Sequence, residues 1–223
     1  MDEKRAAYSL KAPGRSGYSS PMHLPGRGPL PRVDDHLVQP EITRDEVIGG
    51  RRMVASPAQV PHATKHTDLD FVLRAHVAPG YRAVADLLTC HDQSSDFATD
   101  VCIYKDGTDP DTGARHLEEI AFEIVSEQNE RVVTEKAVRM HHRGVRRIFS
   151  VWVKGDQRVC EWSAESKSWL PVDRASSIED PCFVRPLSVV ALLDAAAADN
   201  AVVEAMAAKG NPILLEREAA ARA

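Results

Sequence analysis

Two strand-like runs and the helix-forming segment that follows them each carry an ionisable residue where a core side chain is expected. Asp100 opens Thr99-Asp100-Val101-Cys102-Ile103-Tyr104, Glu123 lies inside Ile120-Ala121-Phe122-Glu123-Ile124-Val125, and Lys136 follows on a helical stretch that ends at Gly144. A charge buried without a partner is very costly, so groups of this kind find one another, a metal or a substrate. The three are therefore expected to converge, and any fold for the chain has to bring two strands and a helix together there.

Side-chain alternation makes the convergence concrete. Asp100, Cys102 and Tyr104 share one face of their strand, with Val101 and Ile103 on the other. In the second strand Phe122 and Ile124 take the core face, which turns Glu123 towards the side of Ala121 and Val125. If the strands are neighbours, Asp100 and Glu123 come within a few ångströms, and two carboxylates that close are best stabilised by a divalent cation. An oxygen-only donor set favours magnesium or manganese over zinc. Lys136 lies four residues after Val132, three after Val133 and four before Met140, on the apolar stripe of its helix, where an ammonium needs an anionic partner. The bland alternative is a lysine reaching solvent beside two structural carboxylates.

The 223 residues, 43% hydrophobic and 27% charged, suit one globular domain with extensions. No apolar run approaches a membrane span, and the first residues lack the apolar core of a signal peptide, so a cytoplasmic protein without membrane association is expected. Four widely spaced cysteines, without a Cys-x-x-Cys pair, read as reduced, buried thiols.

Six of the fourteen prolines fall in residues 1–40, among several glycines. That composition predicts an arm that does not pack a core by itself, either a mobile tail or a segment that docks against a protein partner. From Glu41 a folded pattern begins. Glu46-Val47-Ile48, Gly49-Gly50 and Arg51 to Ala55 read as a hairpin, and His62 to Val77 as a helix closed by Pro79-Gly80. Tyr81 to Cys90 fits strand or helix equally. Glu130 to Arg143 reads as a helix closed by Gly144, and Arg147 to Val153 and Arg158 to Trp162 as a second hairpin. Leu187 to Lys209 reads as one or two helices, broken at Gly210-Asn211-Pro212. The order predicts a mixed α/β domain over 41–185, a mixed sheet flanked by helices, followed by an Ala-rich helical extension over 186–223.

Asp100, then Glu123, then a lysine on the next helix resembles the core of the PD-(D/E)XK nucleases, and the wider pattern is similar to their Uma-two branch of restriction-endonuclease-like proteins. The matching text is Glu46-Val47-Ile48-Gly49-Gly50, Ala55-Ser56-Pro57 with His62, Thr99-Asp100-Val101, Glu123-Ile124-Val125-Ser126, and Lys136 with Gly144-Val145. Val125 stands where the superfamily's motif lysine would be, which that branch shares, and Lys136 is its replacement. Thr99 replaces the motif proline, Met140 an aromatic residue, and the family's aspartate after the fifth strand is not evident. The resemblance implies a restriction-endonuclease-like fold and hydrolysis of DNA phosphodiesters. It implies Mg2+ or Mn2+ at Asp100, Glu123 and Glu46, with Lys136 orienting a water or stabilising the pentacovalent phosphate.

A net charge of -5 provides no overall attraction to nucleic acid, so a positive surface has to be local. Arg139, Arg143, Arg146 and Arg147 supply the expected DNA-facing cluster; the alternative is a solvated basic helix face. Cutting both strands commonly requires two active sites and so a homodimer, although the sequence leaves the oligomeric state open. The competing expectations are a catalytically silent nuclease-fold scaffold and hydrolysis of RNA by the same site.

Overall fold

The computed structural model describes residues 30–39, 45–54, 59–126 and 130–222. The expected arm falls largely outside them, as do Ala55-Ser56-Pro57 of the resemblance. Residues 30–39 pack against the domain: Val33 and Val38 are buried, and the Leu37 and Val38 N–H groups donate to Asp96 Oδ2 at 2.8 and 3.2 Å.

β1 (Asp45–Ile48) and β2 (Arg51–Val54) form the expected hairpin. Its turn needs φ values of 58° and 74°, which Gly49 and Gly50 adopt without the Cβ clash that other residues would meet. α1 (Val60–His76) has Pro61 in its first turn and buries Leu69, Val72, Leu73 and His76 along one stripe. The ambiguous segment is a strand, β3 (Tyr81–Asp92), whose register on β4 (Ser95–Lys105) runs from Tyr81–Lys105 to Asp92–Ser95. β5 (Glu118–Val125), α2 (Glu130–Arg143) and β6 (Arg147–Trp152) follow, and β5 and β6 pair in parallel because α2 carries the chain back across the sheet. β7 (Arg158–Ser163) forms the expected second hairpin with β6, and β8 (Ser168–Pro171) extends the sheet by a strand not foreseen in the sequence.

The protein is thus a mixed α/β fold: a central sheet ordered β2-β1-β4-β5-β6-β7-β8, with β3 also on β4, flanked by helices. Alternate residues of β5 mark the two faces. Ile120, Phe122 and Ile124 pack with Leu69, Val72 and Leu73 of α1, whereas Ala121 packs with Ala137 and Met140 of α2. The two helices therefore cover opposite faces.

The expected helical extension divides differently. β9 (Ser177–Ile178) pairs with β10 (Leu187–Ser188), a short 3-10 turn spans Val189–Leu192, and α3 (Ala195–Ala208) buries Ala198, Ala201, Val202 and Ala205 in the core beside α1. α3 is part of the domain because small side chains let it approach closely. α4 (Pro212–Arg222), beyond the expected break, buries no residue. All four cysteines are buried free thiols, and no described helix is long and apolar enough to cross a membrane.

Candidate active site

The site is built where β4 changes partners. One edge of β4 pairs with β3; the other pairs with β5 over Val101–Tyr104 and with β1 at Asp96. Between those two ladders the backbone needs other hydrogen-bond partners. Glu46 of β1 accepts from the Ala98 N–H (3.1 Å), and Lys136 of α2 donates to the Ala98 carbonyl (3.1 Å). The ladder with β5 ends at Val101–Phe122, one step short of Asp100 and Glu123, and there the Ile124 N–H donates to Asp100 Oδ2 at 2.6 Å. The fork in the sheet thus gathers Glu46, Asp100, Glu123 and Lys136, four residues from four elements.

Lys136 is 5% exposed, with Nζ 3.1 Å from Glu46 Oε1, 3.7 Å from Glu123 Oε2 and 5.1 Å from the centre of the Phe97 ring. Burial opposes its charge, but the carboxylates of Glu123, Glu46 and Asp100 outweigh it and hold the ammonium above the usual lysine range. Glu123 is fully buried, and neither carboxylate oxygen has a hydrogen-bond partner. Its burial, helped by Asp100 and Glu46 and opposed by Lys136, pushes its pKa up to about 8. Asp100 goes the other way: burial is outweighed by His62, Lys136 and the Ile124 N–H, so its carboxyl lies below the usual range. Two adjacent carboxyls are thus set for different protonation at neutral pH.

Carboxylate oxygens without partners suit a hard divalent cation, which takes oxygen donors. The Glu123 oxygens, which accept no hydrogen bond, and Asp100 Oδ1, whose contact is His62 Nε2 at 3.6 Å, fit that requirement.

Three residues on the α1 side of Asp100 were not foreseen. His66 lies one turn after His62, with their ring centroids 6.1 Å apart. Its Nδ1 is 3.2 Å from Asp70 and its Nε2 3.4 Å from Asp86. The approach of Asp86 outweighs burial and pushes the imidazole up to about 9. Asp86 lies opposite Asp100 in β3 with φ of 50°, a left-handed conformation unusual in a strand. The available signal was the spacing His62-x3-His66-x3-Asp70, which places all three on one helix face.

The four arginines expected to face DNA have intramolecular partners. Arg139 is 4% exposed, with Nη1 2.9 Å from Asp92 and Nη2 3.3 Å from Glu135. It points inward, buried between these two carboxylates. Arg143 donates to the Pro31 carbonyl (2.6 Å). Arg146 holds Asp180 through both Nη groups (2.8 Å each), and Arg147 holds Glu161 at 2.7 and 3.0 Å. His141 and His142, at the end of α2, are exposed.

No protein-family model and no curated protein matches the chain. Among solved structures it is similar to a putative nuclease belonging to DUF820 from Anabaena variabilis, with a TM-score of 0.48 and 15% identity over 66% of this chain and 88% of that one.

Proposed function

We propose that the chain is a metal-dependent nuclease that hydrolyses DNA phosphodiester bonds, of the PD-(D/E)XK kind that its sequence motifs resemble. The observation that carries this reading is the meeting of Glu46, Asp100, Glu123 and Lys136 at the fork between β1, β4 and β5. A structural ion pair needs one acid and one base. Here three carboxyls surround one ammonium, and the most buried of them, Glu123, stands 3.7 Å from it with no hydrogen bond to either oxygen.

In this reading Asp100 and Glu123 hold a magnesium or manganese ion, with Glu46 at its margin. The chemistry supplied by the bound cation is a lowered pKa for its water and charge neutralisation at the phosphate. Asp100, ionised at neutral pH, is ready to ligate; Glu123 gives up its proton to do so. Lys136, fixed by Glu46 and the Ala98 carbonyl, orients the attacking water and hydrogen-bonds the pentacovalent phosphate. Its position is set before substrate arrives, so little reorganisation is needed in the transition state.

Supercoiled plasmid incubated with purified protein and Mg2+ or Mn2+ tests the reading, with Asp100→Ala as control. Nicking by the wild type alone is expected. No cleavage above the control, across metals and DNA forms, removes it in favour of a silent scaffold; cleavage confined to RNA reassigns the substrate. A homodimer, and a protein partner for the N-terminal arm, belong to the same proposal.

A further inference from the structure

Asp100 faces two different environments. Towards Glu123 and Lys136 lie carboxyls and an ammonium; towards α1 lie imidazoles. Among the described residues, one atom each from His66, Asp86 and Asp100 come within 4.8 Å of one another, and this is the one group of three metal-ligating side chains that does so. Zinc ligands at about 2.1 Å in tetrahedral array stand roughly 3.4 Å apart. His66 Nε2 and Asp86 Oδ1 are separated by 3.4 Å.

His66 itself is arranged as a ligand. Its Nε2 is buried and makes no well-formed hydrogen bond, although two aspartates lie next to it. Its Nδ1 faces Asp70, one turn on in the same helix, at 3.2 Å. A carboxylate on the far nitrogen of a ligating imidazole fixes its tautomer and raises its basicity. An imidazole needed only for packing requires neither a carboxylate at the far nitrogen nor two aspartates gathered at Nε2.

We propose that His66, Asp86 and Asp100 form a three-ligand binding site for a borderline transition ion of the zinc class, with water in the fourth position, and that Asp70 is its positioning residue. Mixed nitrogen and oxygen donors select such an ion over magnesium. The site shares Asp100 with the carboxylate pair but does not depend on the nuclease reading, because its other donors come from α1 and β3.

The test is titration of the full-length, metal-stripped protein with Zn2+ by calorimetry and with Co2+ by visible absorption. Wild type takes up one equivalent of Co2+ with the intense bands of a four-coordinate site. His66→Ala and Asp86→Asn each weaken binding at least tenfold, and Asp70→Asn by about tenfold. Glu123→Gln and Glu46→Gln leave the affinity within twofold. Asp86 is exposed, and asparagine tolerates its left-handed backbone, so Asp86→Asn keeps the test clear of folding failure. The absence of Zn2+ and Co2+ binding by the wild type, or equal binding by Asp86→Asn, overturns the proposal. So does a loss in Glu123→Gln as large as in Asp86→Asn, which places the ion at the carboxylate pair. None of these outcomes bears on Mg2+-dependent plasmid nicking, which is scored separately.

Discussion

The ammonium of Lys136 stands 3.1 Å from the carboxylate of Glu46, a residue ninety positions earlier in the chain. Both also serve the backbone of Ala98, so the pair completes the sheet at its fork as well as forming part of the site. Stability and activity are coupled at this point.

Lys136→Met is expected to lower plasmid nicking at least a hundredfold, the usual scale for removing one transition-state donor. It also leaves the carboxyls around a buried position without their cation, costing on the order of 3 kcal/mol. Urea denaturation at pH 7 beside the nicking assay measures both. Loss of stability with full activity would show that Lys136 is structural only.

Glu123 carries the pH dependence. Its pKa in the folded protein is near 8, against 4.5 for an ordinary glutamate. Between those values the folded state keeps a proton that the unfolded chain has released. Its contribution to stability is therefore complete below about pH 4.5 and is lost as pH rises through about 8. In chelator, the stability of wild type relative to Glu123→Gln should fall with pH in this window, by at most about 1.4 kcal/mol per pH unit. Parallel curves for the two proteins would mean that Glu123 titrates normally.

The same proton competes with metal. Mg2+ should raise the thermal midpoint more at pH 8.5 than at pH 6, because a cation binding at Glu123 has to displace the proton at the lower pH. Removal of metal with chelator abolishes the increment. A pH-independent increment would place the ion away from Glu123.

Arg139 is expected to act on folding, not on nucleic acid. Arg139→Met removes the cation paired with the buried Asp92 and should cost about 3 kcal/mol, while the salt dependence of DNA binding stays unchanged. A reduced salt slope without destabilisation would restore the phosphate contact.

The turn between β1 and β2 provides a controlled comparison. A Cβ at either glycine meets a positive φ, but at Gly49 it also meets Glu135 Oε1 at 3.0 Å and the Arg139 guanidinium, whereas Gly50 has open space. Gly50→Ala should cost about 1 kcal/mol, the strain of a left-handed residue alone, and Gly49→Ala clearly more by denaturant titration. Equal costs would mean that the Arg139 side chain gives way freely.

Periodicity alone was enough to place three charges on converging faces. Alternation turned Glu123 away from Phe122 and Ile124, and helical spacing turned Lys136 inward, because each depends only on the geometry of one element. The hairpin at Gly49-Gly50 and the ends of α2 were local for the same reason, whereas α1 starts at Val60, two residues before the expected His62. Everything that required two distant segments was settled by packing. The strand or helix ambiguity of β3 was resolved by its ladder with β4, and Asp86 escaped notice because a segment that fits strand or helix equally assigns its side chains to no face. The arginines show the same limit. A cluster of guanidiniums near one helix resembles a surface for phosphate, yet Asp92, Glu161 and Asp180, all remote in the chain, claim Arg139, Arg147 and Arg146. A side chain's charge is written in the sequence, whereas its partner, and so whether that charge faces solvent, is decided only when the chain folds.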